Sequence, residues 1–110
     1  MRASQRVPFY ALVEFRQRGK TEWLSGFSHD ISSGGVFIRT LTPLPQGADV
    51  ELKLHLQAKR SMLCAGMAAW SNGPQYQERG FSCRIGMGVK FSALAPEQKT
   101  LIDELLRAGQ

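Results

Sequence analysis

Cysteine is scarce in this chain, with two among 110 residues, Cys64 and Cys83. That is too few for a disulfide framework, and the spacing does not suit a zinc site, so a reduced, cytoplasmic setting is the simplest expectation. Long apolar runs are missing too. The longest stretch without a polar side chain, Met62 to Trp70, is well short of the ~20 residues that cross a bilayer, so no membrane insertion is expected. The front of the chain does not read as a signal peptide, because Tyr10, Glu14 and Arg16 interrupt it and no small-residue cleavage site follows. Negative charge is nearly absent there: residues 1 to 20 hold five basic side chains against Glu14 alone. The other ninety residues carry nine basic and eight acidic groups, so almost all of the net +5 sits at the front of the chain, in the first twenty residues. A local surplus of this kind points to an anionic partner.

Enzyme constellations are also lacking. His29 and His55 stand apart, His29 beside Asp30 but without a companion nucleophile, and no two or three ligands share metal-site spacing. Gly86-Met87-Gly88 is too brief for a phosphate loop and has no strand-to-helix context. Catalysis is not expected.

What the chain does have is period-two alternation. Val50, Leu52, Leu54 and Leu56 alternate with Glu51, Lys53, His55 and Gln57, which gives a strand one buried and one wet face. Phe9, Ala11, Val13 and Phe15 repeat the pattern, and further strand-like runs are Glu22 to Phe27, Val36 to Arg39, Met62 to Trp70 and Gly88 to Phe91. Turn signals separate them at Arg18-Gly19-Lys20, Ser33-Gly34-Gly35, Thr42-Pro43-Leu44-Pro45-Gln46-Gly47 and Ser71-Asn72-Gly73-Pro74, and Asn72 to Arg84 reads as a long hairpin loop. About six short strands so punctuated predict a small closed barrel, since closure removes exposed edges. After Leu94 the period changes: Pro96 suits a first helical turn, and Leu101, Ile102, Leu105 and Leu106 share one face of a short amphipathic helix. The expected organisation is a single domain, with a flexible basic arm over 1–8, a barrel over 9–93 and a helix over 95–108.

Two short motifs remain, Arg2-x-x-x-Arg6 and Asp30-x-Ser32-x-x-Gly35. Each alone is weak, since paired arginines usually mark a basic arm and an Asp-Ser-Gly cluster a turn. Their relation says more. If Gly19 centres the first hairpin, opposed residues have numbers summing to about 38, which sets Arg6 across from Ser32 and Pro8 across from Asp30. Asp30 and Ser32, two apart on a strand, then share a face, and Gly34 and Gly35 leave the backbone bare. An arginine fork pairs with guanine O6 and N7 or with phosphate. A carboxylate complements the N–H donors of guanine's Watson–Crick edge, and a hydroxyl bonds in either direction. Together these residues read as a guanine-plus-phosphate site.

At these residues the chain resembles the PilZ domain family, whose two hallmark motifs, R-x-x-x-R and [D/N]-x-S-x-x-G, occur here in order and intact. The similarity continues through Gly35-Val36-Phe37-Ile38, Pro45-Gln46-Gly47, Gly66, Trp70, Gly86-Met87-Gly88-Val89-Lys90-Phe91 and the closing helix. The resemblance implies an all-β fold, a six-stranded antiparallel barrel with a C-terminal helix, that binds the bacterial messenger cyclic di-GMP and needs no cofactor. It implies that Arg2 and Arg6 contact guanine and phosphate, that Asp30 and Ser32 bond a guanine, that Gly35 permits backbone approach, and that Trp70 offers a stacking face or packs the barrel. Arg39 and Lys90 are candidates for added positive potential, with ordinary surface charge the simpler account of each. Met1 stands where a basic residue accompanies a stacked ligand dimer, which favours one ligand per site. The ordered arm would change a surface read by a downstream protein, for example in motility. Two alternatives stand beside this one: a PilZ-like adaptor that binds protein without nucleotide, and a barrel for single-stranded nucleic acid. The last is disfavoured because the basic excess is confined to the arm rather than spread along a groove, so no DNA or RNA is expected.

Overall fold

Alternating side chains do form the strands. The computed structural model describes residues 6–57, 59–74 and 85–108. In chain order these hold β1 (Val7–Pro8), β2 (Leu12–Gln17), β3 (Leu24–Ile31), β4 (Gly35–Arg39), β5 (Asp49–His55), β6 (Ser61–Asn72), β7 (Gly86–Phe91) and helix α1 (Pro96–Ala108). Neighbouring strands pair antiparallel in the order β1-β3-β2-β5-β6-β7-β4, and a further β3–β4 pairing closes the sheet on itself. Strands β2 to β7 thus make the expected six-stranded barrel. Most of the loop expected over Asn72 to Arg84 lies outside the described residues.

The front strand is interrupted rather than continuous. Gly19, with φ +89°, makes the β2–β3 turn, where the Lys20 N–H donates to the Gln17 carbonyl at 2.9 Å. From there β2 pairs Leu12 with Phe27 and Val13 with Gly26, whereas β1 pairs Pro8 with Asp30 and Val7 with Ile31. The register slips by one residue across Phe9 to Ala11, and the buried Ser28 hydroxyl fills the gap. It accepts from the Ala11 N–H at 2.8 Å and donates to the Phe9 carbonyl at 2.5 Å. The boundary placed at residue 8 between arm and barrel therefore falls within the sheet.

Two β-bulges decide what the barrel shows to solvent. Between β3 and β4 the pairing runs from Ser28↔Ile38 to Asp30↔Phe37, so His29 is one residue too many. Gly26 and Ser28 are buried before the bulge and Ile31 after it, so the extra residue reverses the alternation and turns Asp30 outward. Between β6 and β7 the pairing runs from Ala68↔Val89 to Trp70↔Gly88, and Ala69 does the same for Trp70.

Inside, Phe15, Ile38, Leu52, Leu54 and Met87 fill the barrel, and Ile102 of α1 covers one end with Leu101 and Leu105 packed beside it. The helix starts where Pro96 predicts: the Ala95 carbonyl takes the Lys99 N–H, and the Gln98 side chain returns to the Ala95 N–H at 2.7 Å, half of a capping box. Cys64 is a buried free thiol, and burial pushes its pKa up from 9.0 to about 12. Above the ordinary value the unfolded chain ionises this thiol and the folded one does not, so the stability it lends is present below pH 9 and is lost as pH rises toward 12. Alkylation followed by mass spectrometry at pH 8 is expected to leave Cys64 unlabelled in the folded protein and to label it fully in denaturant. A Cys64→Ala variant is expected to lose less stability between pH 9 and 11 than the parent does.

Candidate functional site

The bulges line up one row of outward residues. Cross-strand pairs place Pro8, Asp30, Phe37, Gly88 and Trp70 side by side on β1, β3, β4, β7 and β6. Phe37 lies between Val36 and Ile38 of the interior core and so points outward, yet it is 2% exposed. Its cover is aromatic. The Trp70 ring stacks on it at 5.1 Å and 27°, and the His29 ring meets its edge at 5.8 Å. Trp70 reaches Phe37 by lying across Gly88, where any Cβ would overlap the indole. Tyr10 extends the aromatic run by an edge contact of 5.7 Å with His29.

Beside the aromatics is the polar half. Arg6 Nε donates to Asp30 Oδ1 at 2.6 Å, and His29 Nδ1 lies 3.2 Å from Asp30 Oδ2. Asp30 is largely covered while Arg6 keeps half of its side chain in water. With the Arg6 side half in water, water screens the pair, and a ligand that brings its own donors to Asp30 replaces what Arg6 supplies. Ser32 is buried at the tight turn into β4: its Oγ accepts the Gly34 N–H at 3.1 Å, and its N–H donates to the Gly35 carbonyl at 2.8 Å.

Together these groups line an open depression of about 520 Å³ whose wall includes Arg6, Asp30, Ser32, Phe37, Trp70 and Lys90. That volume falls within the roughly 300–1,000 Å³ of small-molecule sites. Among the expected site residues, Arg6, Asp30, Ser32, Gly35 and Trp70 all border it. Arg2 lies outside the described residues. Gly35 borders the depression, but a Cβ on it would run into the Val89 carbonyl, so its missing side chain makes room for β7. Of the two glycines in this turn, Gly34 is the one with open space, its nearest neighbour being Ser32 Oγ at 3.9 Å. Arg39 sits opposite Phe27 and is not part of the wall, whereas Lys90 is. His29 and Phe37 were not singled out by the sequence for this site. The signal was there in Gly88, a glycine inside a strand, which often marks close approach by another group.

A small antiparallel barrel closed by one helix, with a mixed aromatic and ionic depression on its outer wall, defines the class. The family model of the PilZ domain matches residues 1–108, and the chain belongs to that family. No curated protein matches it by sequence. Among solved structures, the inhibitor of motility MotI (DgrA) of Bacillus subtilis superposes with a TM-score of 0.73 at 19% identity over 98% of this chain. The chain spans 51% of MotI, about half its length. The PilZ domain of CeSA from a cellulose-synthesizing bacterium gives a TM-score of 0.66 at 17% identity, covering 96% of this chain and 97% of that one. The PilZ domain of YcgR from Escherichia coli, solved with c-di-GMP, gives 0.73 at 12%, covering 98% and 90%.

Gly88→Val is expected to push the indole off Phe37. Overpacking of this kind costs about 1–3 kcal/mol, measurable by urea unfolding. The Gly88→Val/Trp70→Ala double variant is expected to recover part of that loss, because the overlapping ring is gone.

Proposed function

We propose that this chain is a non-catalytic receptor domain for cyclic di-GMP. The observation that carries the proposal is the Arg6–Asp30 pair, 2.6 Å apart at the edge of a depression walled by Ser32, Phe37 and Trp70. A guanine entering there can offer its N1–H and N2–H donors to the Asp30 carboxylate, which takes over the role Arg6 plays without ligand. Arg6, once released, can turn its fork to O6 and N7 or to a phosphate, and Arg2 is proposed to join it. The Ser32 hydroxyl still has a proton to donate, Gly34 leaves the turn open, and the partly covered Trp70 ring offers a stacking face. Lys90 adds positive charge for a dianionic ligand.

The solved c-di-GMP complex of the YcgR PilZ domain supports the ligand class. Signalling would follow by population shift: the arm orders over the ligand, and a partner reads the new surface. The name of MotI, an inhibitor of motility, makes motility machinery a reasonable place to look for that partner. A cytoplasmic setting, where a thiol such as Cys64 stays reduced, fits this role.

Calorimetry with cyclic di-GMP, GMP and a short oligonucleotide tests the proposal. Saturable heat is expected from the cyclic dinucleotide alone. Loss of a charged hydrogen bond is worth about 1.5–3 kcal/mol, so Arg6→Ala and Asp30→Ala are each expected to weaken binding about 10- to 100-fold. Heat from no ligand in a folded sample would favour the protein-binding adaptor. Binding undiminished in Arg6→Ala would place the ligand elsewhere.

A further inference from the structure

The longest apolar run in the sequence turns out to be β6, and the receptor site uses only its end. Inward, Met62, Cys64, Gly66 and Ala68 are buried in the barrel, as a strand with one wet face requires. Outward, however, the same strand shows Leu63, Ala65, Met67 and Ala69, all exposed, with Leu63 at 61% and Met67 at 40%. Strands apolar on both faces are characteristic of sheets covered on both faces. Here the sheet closes on itself, and no described element covers this outer stripe.

The charges beside the stripe indicate what fits it. Met67 has Asp49 of β5 on one side and Lys90 of β7 on the other, all three in one cross-strand row and facing outward. A partner surface of one sign would be attracted on one flank and repelled on the other. A second copy related by a two-fold axis along β6 avoids this conflict. That axis exchanges the flanks, so Asp49 of each copy meets Lys90 of the other while Leu63 and Met67 pack against their own counterparts. Two sheets stacked face to face in this way use ordinary sandwich geometry, about 10 Å apart.

We propose that the outer face of β6 is a two-fold self-association surface, with Leu63 and Met67 as its apolar seam and reciprocal Asp49–Lys90 pairs on its flanks. The proposal does not depend on the ligand. The seam from Leu63 to Ala69 runs about 20 Å at a strand's rise of about 3.4 Å per residue. With the flanking strands it buries on the order of 600 Å² between two copies, below the ~1,200 Å² of a lasting interface. The dimer is therefore weak and concentration-dependent. Lys90 also borders the depression, so seam and depression share one cation.

Sedimentation equilibrium from about 10 μM to 1 mM tests it on the full chain. The apparent mass is expected to rise from one copy toward two, and Met67→Lys, a change at an exposed position, is expected to leave one copy throughout. Asp49→Lys alters both symmetric pairs at once and should weaken association about fivefold to thirtyfold, as two exposed pairs of about 0.5–1 kcal/mol each allow. Adding Lys90→Asp should restore it to within about twofold of the parent. Thermal melts check that each variant is folded. A single copy at 1 mM, association unchanged by Met67→Lys, or a double charge swap no better than Asp49→Lys alone would each overturn the proposal.

Discussion

Two surplus residues, His29 and Ala69, govern which side chains this barrel turns to water. With His29 paired in regular register rather than bulged, strict alternation would carry Asp30 into the interior and Ile31 out of it. An uncompensated buried carboxylate costs several kcal/mol, and exposing an isoleucine forfeits about 1.5–3 kcal/mol. The sequence of β3 therefore fits only the bulged register. The bulge at Ala69 sets the same condition on β6, where Trp70 would otherwise enter the core. Because the two bulges flank one cross-strand row from opposite sides, the residues they turn outward, Asp30 and Trp70, share one wall.

That shared wall explains why the depression is built mainly from four strands, β3, β4, β6 and β7, with Arg6, Ser32 and Gly34 added from beside them. Phe37 is the floor, held flat between Trp70 and His29, and Gly88 is bare so that the indole can cross it. The polar rim is less fixed. Arg6 precedes β1, keeps half of its side chain in water, and is tied to Asp30 by one short ion pair. A rigid aromatic floor beside an exchangeable ionic rim suits a ligand that brings both a flat base and negative charge.

Much of this was legible in residue order. The alternation in Val50 to Leu56 and the Gly19 turn fixed the strands and the hairpin well enough to set Pro8 opposite Asp30, as the sheet has it. The helix announced itself through Pro96 and its apolar face. What could not be read was parity. A bulge adds a residue without a composition signal, so nothing in Ser28-His29-Asp30 says that neighbours will face the same way. Phe37 looked like any core residue of a strand, and its outward burial exists only because Trp70 reaches across a neighbouring glycine. The two glycines of the turn were likewise indistinguishable by type, although one makes room for β7 and the other opens onto the depression. The front strand read as continuous because its break is mended by a serine hydroxyl from a distant part of the chain.

The chain has two tryptophans on different parts of its surface, Trp70 over Phe37 and Trp23 beneath the Arg16 guanidinium at 4.4 Å. Their indole N–H signals in a nitrogen–proton correlation spectrum give two separate reporters. If the bulges gather the ligand site on one wall, titrating cyclic di-GMP shifts the Trp70 indole together with the Gly34 and Gly88 amides and leaves Trp23 in place. A Trp23 signal that moves while Trp70 stays fixed would contradict this account.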